Sequence, residues 1–275
     1  MTNGSTEIER YQSTGSLRCL NRTGARMRSR KISNLSVRGI PIKPALALGP
    51  HVEFLPARDG ALVMGDLVLT EDEVNPVLLK LQQGGVEQTA LHNHLLGETP
   101  RVMYLHLDAQ GEPVRLAAAI HAALAVSGTP LGAPSSTPAP QDSGLDTTQL
   151  DRVLGAHGMV NGGVYQVSIP RGEMIRDQGV ELPPAMGVAT ALNFQATGDG
   201  KAVITGDFVL LAREVNPVIR SLRENRIDVT ALHSHMLTED PRLFYLHFWA
   251  HDDPIALAHG LRAALDKTNR AKART

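Results

Sequence analysis

A single cysteine, Cys19, stands among 275 residues. No intramolecular disulfide, thiolate metal cluster or redox pair can therefore be built. No run approaches the roughly 18 apolar residues of a membrane-spanning helix, and the first residues hold no apolar core of a secretory signal. Neither sign of charge is in excess: 27 basic against 28 acidic residues give a net charge of −1. That balance argues against a nucleic-acid-binding face and against a polybasic membrane anchor. There is no P-loop, no Gly-x-Gly-x-x-Gly turn after a strand and no Gly-x-Ser-x-Gly elbow, so nucleotide-dependent chemistry and serine hydrolysis gain no support. These absences lead to the expectation of a cytoplasmic protein with no nucleic-acid partner and no membrane span.

What is present is a repeat. Residues 61–107 and 202–248 align without a gap, and 23 of the 47 positions are identical. Positions kept by both copies mark shared physical requirements. Residues 1–34 fall outside the repeat and are basic, with Arg10, Arg18, Arg22, Arg26, Arg28, Arg30 and Lys31. They read as a flexible arm. Copy one spans residues 35–126, a Pro/Ser/Ala/Gly-rich linker covers 127–146, copy two spans 147–269, and 270–275 form a tail.

Each copy has the same coarse order. Residues 61–69 read as a strand broken at Gly65-Asp66, matched by Gly206-Asp207. Asn75-Pro76 and Asn216-Pro217 read as the cap and first residue of a helix. Thr70 and Glu73 offer an earlier capping box, but Leu211 replaces the threonine in copy two. A hairpin follows, with strands over 86–95 and 101–107 and a turn over 97–100. An amphipathic helix over 113–126, or 254–267, closes the copy. Copy two adds a strand over 163–169 before Pro170-Arg171, with 35–42 as its degenerate counterpart. The expected fold class is α+β, an internally duplicated ββαββα-type unit with antiparallel sheets about a pseudo-twofold.

The sharpest signal lies in the hairpin. Copy one carries His92, His94, Glu98, Arg101, Tyr104 and His106, and copy two repeats them as His233, His235, Glu239, Arg242, Tyr245 and His247. Side chains alternate across a strand, so His92 and His94 share a face. A turn centred near Glu98 and Thr99 sets His106 opposite His92 and Tyr104 opposite His94. Facing side chains come within about 5 Å. Three imidazoles held so close suit a divalent transition metal, zinc among them, with the fourth position open to water. Glu98 and Glu239 are then a fourth ligand or a general base, as in a metal-dependent hydrolase.

Two alternatives stand beside the metal. One is a metal-free pocket for a small anionic or cell-envelope ligand, with Tyr104, Arg101, Tyr245 and Arg242 as its contacts. The other is a structural hydrogen-bonded network. The arginines either hold the glutamates in place or bind an anion. The His-x-His-x(3)-Glu spacing also resembles half of a cupin motif, but two helices per repeat argue against an all-β barrel. His51, His121, His157, His251 and His259 have no counterpart in the other copy and read as surface or packing residues.

Four segments of copy two carry a family resemblance: GGVYQVSIPR at 162–171, GDFVLLAREVNPVIRSLREN at 206–225, VTALHSHMLTEDPRLFYLHFWA at 229–250 and LAHGLRAALDK at 257–267. The chain resembles the LppY/LpqO-like family of bacterial proteins from about residue 35 to 269. The resemblance implies a duplicated fold and exported relatives, and it implies no reaction. Residues 1–33 depart from the pattern, with neither a signal sequence nor the VY-x-V-x-x-PR strand expected before copy one.

Overall fold

The computed structural model describes residues 18–19, 25–26, 32, 35–131 and 142–271. Most of the basic arm and the middle of the expected linker lie outside the described residues. Copy one runs β1 (Arg18–Cys19), β2 (Ala25–Arg26), β3 (Ser36–Val37), β4 (Ile40–Pro41), α1 (Pro44–Ala47), β5 (His51–Ala57), β6 (Gly60–Thr70), α2 (Glu71–Gln83), β7 (Glu87–His92), β8 (Glu98–Thr99), β9 (Val102–Gly111) and α3 (Pro113–Leu124). Copy two runs α4 (Thr147–Leu154), β10 (Met159–Asn161), β11 (Val164–Pro170), β12 (Ile175–Asp177), β13 (Val180–Leu182), β14 (Ala189–Ala196), β15 (Ala202–Leu210), α5 (Ala212–Glu224), β16 (Asp228–His233), β17 (Phe244–Asp252) and α6 (Pro254–Leu265). No helix among the described residues is long and apolar enough to cross a membrane.

The chain forms two compact units. The first contains a six-stranded antiparallel sheet in the order β1-β2-β5-β6-β9-β7. The second contains one in the order β10-β11-β14-β15-β17-β16. The two orders match strand for strand, so the α+β duplication is a property of the fold. They also correct two expectations. The arm is not wholly outside the domain, because Ala25 and Arg26 pair with Val52 and His51. That makes β2, not residues 35–42, the counterpart of β11. Residues 35–42 instead hold the β3-β4 hairpin, and they belong to the second unit together with the rest of Asn34–Ala47 and with His94–Thr99.

Within the second unit these borrowed segments lie on the polar face of the sheet. Gln166 Nε2 donates to Ala45 O at 2.8 Å, Asn193 Nδ2 to Leu46 O at 3.3 Å and Gln195 Nε2 to Pro41 O at 3.0 Å. The β8 residues Glu98 and Thr99 pair with Val37 and Ser36. The opposite face is apolar. Val167, Leu192, Phe194, Ile204, Phe208, Leu246 and Phe248 pack there with Val218 and Leu222 of α5 and Leu261 of α6. Period-two alternation produces both faces from the same strands. Each such large side chain contributes roughly 1.5–3 kcal/mol on full burial.

The helix after β6 starts earlier than Asn75-Pro76 suggests. α2 begins at Glu71, and the Thr70 N–H donates to Glu73 Oε2 at 2.9 Å. In copy two the Leu211 N–H donates to Glu214 Oε2 at 2.8 Å. The start signal both copies share is therefore the glutamate at the third helical position, with or without a hydroxyl cap. Pro76 and Pro217 sit inside their helices. Pro76 is exposed, where the carbonyl one turn back can turn toward water. Gly65-Asp66 does not break its strand either, since β6 pairs with β9 in continuous register from Ala61 to Thr70.

Candidate functional site

In the first unit β7 ends at His92, which faces Tyr104, and His106 faces Ala90. The register differs by two residues from the expected His92–His106 pairing. The ladder stops at His92 because residues 94–99 leave it for the second unit, where Glu98 and Thr99 pair with β3. Parity is preserved all the same, and the rings of His92 and His106 stack with centroids 5.0 Å apart. Tyr104 lies 6.2 Å from His92 in the same sense. Across the ladder from His106 is Asp66, whose Oδ1 lies 3.8 Å from His106 Nε2.

The second unit brings three predicted histidines together. One ring nitrogen each from His94, His233 and His247 lies within 4.8 Å of the others. His94 arrives on the segment borrowed from copy one, and its ring stacks on His247 with centroids 3.8 Å apart. His233 is the last residue of β16, with its ring 5.0 Å from that of His247. This grouping takes one histidine from copy one and two from copy two. His235, expected as the third ligand of copy two, lies past the end of β16. It stacks on Tyr245 with centroids 3.4 Å apart and stands 4.9 Å from His233.

The imidazoles are prepared for a cation. His247 Nδ1 lies 3.0 Å from the Gly206 carbonyl oxygen. A carbonyl only accepts, so Nδ1 carries the proton and Nε2 presents its lone pair. That is the orienting bond a metal-binding histidine commonly makes. Burial pushes the His233 imidazole down to about 4, against an opposing backbone contact at Ser234. At neutral pH it is uncharged and has no proton to give up before ligating.

Other predicted residues have more local tasks. Glu239 is buried, its Oε1 accepts from the Leu243 N–H at 2.9 Å, and its Oε2 lies 3.4 Å from Arg242 Nη1. Burial raises its carboxyl above the usual range, while that backbone bond and Arg242 pull the other way. Arg242 also donates to the carbonyls of Met236 and Leu237. It therefore holds the glutamate and the loop together, one of the two roles foreseen for it. Arg101 is exposed and sits 3.6 Å from Glu71. Glu98 is half-buried in β8. Tyr245 is fully buried, and its phenol is pushed well above its ordinary range by burial and then by Asp207, Glu239 and Asp177.

Two site residues escaped the sequence reading. Asp207 stands directly opposite His247, and burial raises its carboxyl to about 7. The Gly-Asp pair kept by both copies was the available signal, but it reads equally well as a turn. Thr230, matched by Thr89, occupies a register jump in β16. Its retention in both copies was visible, but a bulge is not visible until the partner strand is in place.

The grouping suits a transition-metal ion. Zinc takes imidazole nitrogens at about 2.0–2.1 Å in a tetrahedral array, which sets donors about 3.4 Å apart. Nitrogens within 4.8 Å reach that spacing by small ring rotations. No curated protein matches the chain. A solved structure, "Crystal Structure of an Unknown Protein from Galdieria sulphuraria", is similar over 77% of this chain and 97% of that chain, at 8% identity and a TM-score of 0.20. A family described as Domain of Unknown Function (DUF1259) matches residues 21–126 and again 148–267, once over each copy. The chain belongs to that family and matches it twice.

Proposed function

We propose that the protein binds a divalent transition-metal ion, zinc being the first choice, through His94, His233 and His247. One observation carries the reading: three imidazole nitrogens from separate segments lie within 4.8 Å of one another. The Gly206 carbonyl, which turns His247 Nε2 outward as a lone-pair donor, supports it. His235 lies beside this group as an alternate ligand, and His92 and His106 are the corresponding imidazoles of the first unit. On its sequence motifs alone, we further propose that the chain is one of the LppY/LpqO-like proteins.

A hydrolytic version of the site needs a base, for which Glu98 and Glu239 are the candidates. Glu239 already accepts from the Leu243 N–H and faces Arg242, an arrangement that favours the non-catalytic reading of a metal-dependent binding module. Elemental analysis of the untagged chain after exposure to zinc, manganese or iron and dialysis tests the reading. The expected result is at least one ion per chain, reduced when His233 and His247 are both changed to Ala. A wild-type chain that retains no ion above the dialysis buffer ends the proposal.

A further inference from the structure

Tyr245 is the least explained residue around the imidazole group. It is fully buried, and its hydroxyl has no hydrogen-bond partner among the described residues. Thr230 Oγ1 is a buried atom in the same condition. Buried hydroxyls are ordinarily bonded, because leaving one unpaired forfeits its hydration without return. Both residues lie on the β16-β17 strand pair that carries His233 and His247.

The strand is built to bring His233 onto the face of Tyr245 and His247. Val229 faces Phe248 and packs on the apolar core, but Ala231 faces His247 and His233 faces Tyr245. Regular alternation from Val229 would send Ala231 and His233 to the core side as well. The extra residue at the register jump, Thr230, reverses that parity and returns His233 to the polar face. The jump recurs in copy one between Gln88 and Ala90, with Thr89 as the extra residue. Bulges beside sites commonly re-aim side chains in this way. Both copies keep the threonine and the tyrosine, as Thr89 and Tyr104, and Thr230 and Tyr245.

We infer that Tyr245 and Thr230 donate hydrogen bonds to an acceptor oxygen of a small ligand, carboxylate or carbonyl, that completes the coordination of the ion held by His94, His233 and His247. This rests on the metal reading above and adds to it the class of ligand. Three neutral imidazoles leave a divalent ion with a vacant position for a hard oxygen, and both hydroxyls can donate to the same atom. A carboxylate gains from the ion's charge, and a carbonyl avoids repulsion from Asp207, Glu239 and Asp177. The two sources are separated by experiment.

The untagged full chain is loaded with cobalt(II), its cobalt content is measured, and its visible absorption is followed during titration with acetamide or with acetate. At least one probe should perturb the spectrum, and which one does so identifies carbonyl or carboxylate. Tyr245→Phe and Thr230→Val should each weaken that probe by about tenfold at equal cobalt content. Tyr245→Phe should also raise the melting temperature of the metal-free protein, because it deletes an unpaired buried hydroxyl. A purely structural tyrosine would give the opposite shift. If wild type binds cobalt but neither probe, or if both variants match wild type in probe affinity, this inference is overturned while the metal reading stands. If wild type binds no cobalt, both fall.

Discussion

At Gly206 the backbone takes φ +155°, and a Cβ built there would lie 1.9 Å from the Ala191 carbonyl oxygen. No side chain fits without moving the neighbouring strand. The same peptide carbonyl orients His247, so one glycine serves both the sheet and the site. Gly206→Ala should lower stability by at least about 2 kcal/mol, measured by urea unfolding. It should also weaken metal binding by about 10- to 100-fold, measured by competition with a chelator, because the bond to Nδ1 is disturbed. Equal stability would mean that the strands relax around the methyl group at little cost. Gly65 is the milder case, with the nearest atom, His51 O, 2.7 Å from a built Cβ. Retention of the glycine in both copies was legible in the sequence. Its reason was not, since a close strand approach and a turn call for the same residue.

Helix starts show how an element joins its surroundings. Glu214 accepts from the Leu211 N–H, from the Asn269 N–H at 2.9 Å and from both Arg171 nitrogens at 2.8 and 3.0 Å. Arg171, left unassigned by the sequence beyond its place after Pro170, is buried here and also meets Glu173. Burial alone would raise the Glu214 carboxyl, but the bonds from Arg171, Leu211 and Asn269 outweigh it and hold the group below its ordinary 4.5. A carboxyl depressed in the folded state contributes stability that is present above 4.5 and is lost as pH falls through the folded value. Acid unfolding followed by circular dichroism should therefore show a loss of stability below about pH 4.5 that is shallower in Glu214→Gln. Arg171→Met strands a buried carboxylate and should cost about 3–5 kcal/mol at neutral pH. An unchanged acid profile in Glu214→Gln would assign the helix start to the backbone alone.

The whole molecule does not divide where its repeat divides. Residues 35–47 and 94–99 lie in copy one by sequence and in the second unit by structure. Within that unit they answer three side-chain amides of the sheet, form the β4-β3-β8 sheet and supply His94. A chain of residues 142–275 alone would lose those acceptors and one ligand. It should melt at a lower temperature than the full protein and bind zinc more weakly, as judged by differential scanning calorimetry and chelator competition. Full stability and full affinity in that fragment would show the borrowed segments to be dispensable.

The sequence by itself determined the duplication, the α+β class, the order of the main strands and helices, and the histidines as the residues to watch. Those follow from local periodicity and from identity between copies, both of which are written along the chain. Tertiary structure alone decided the helix starts, the bulges at Thr89 and Thr230, and the grouping of His94 with His233 and His247. Two copies that share a motif present the same local signals, so nothing along the chain distinguishes a segment that stays with its own copy from one that pairs elsewhere. The choice belongs to long-range partners: Val37 and Ser36 for residues 98–99, and the polar face of the second sheet for residues 41–46.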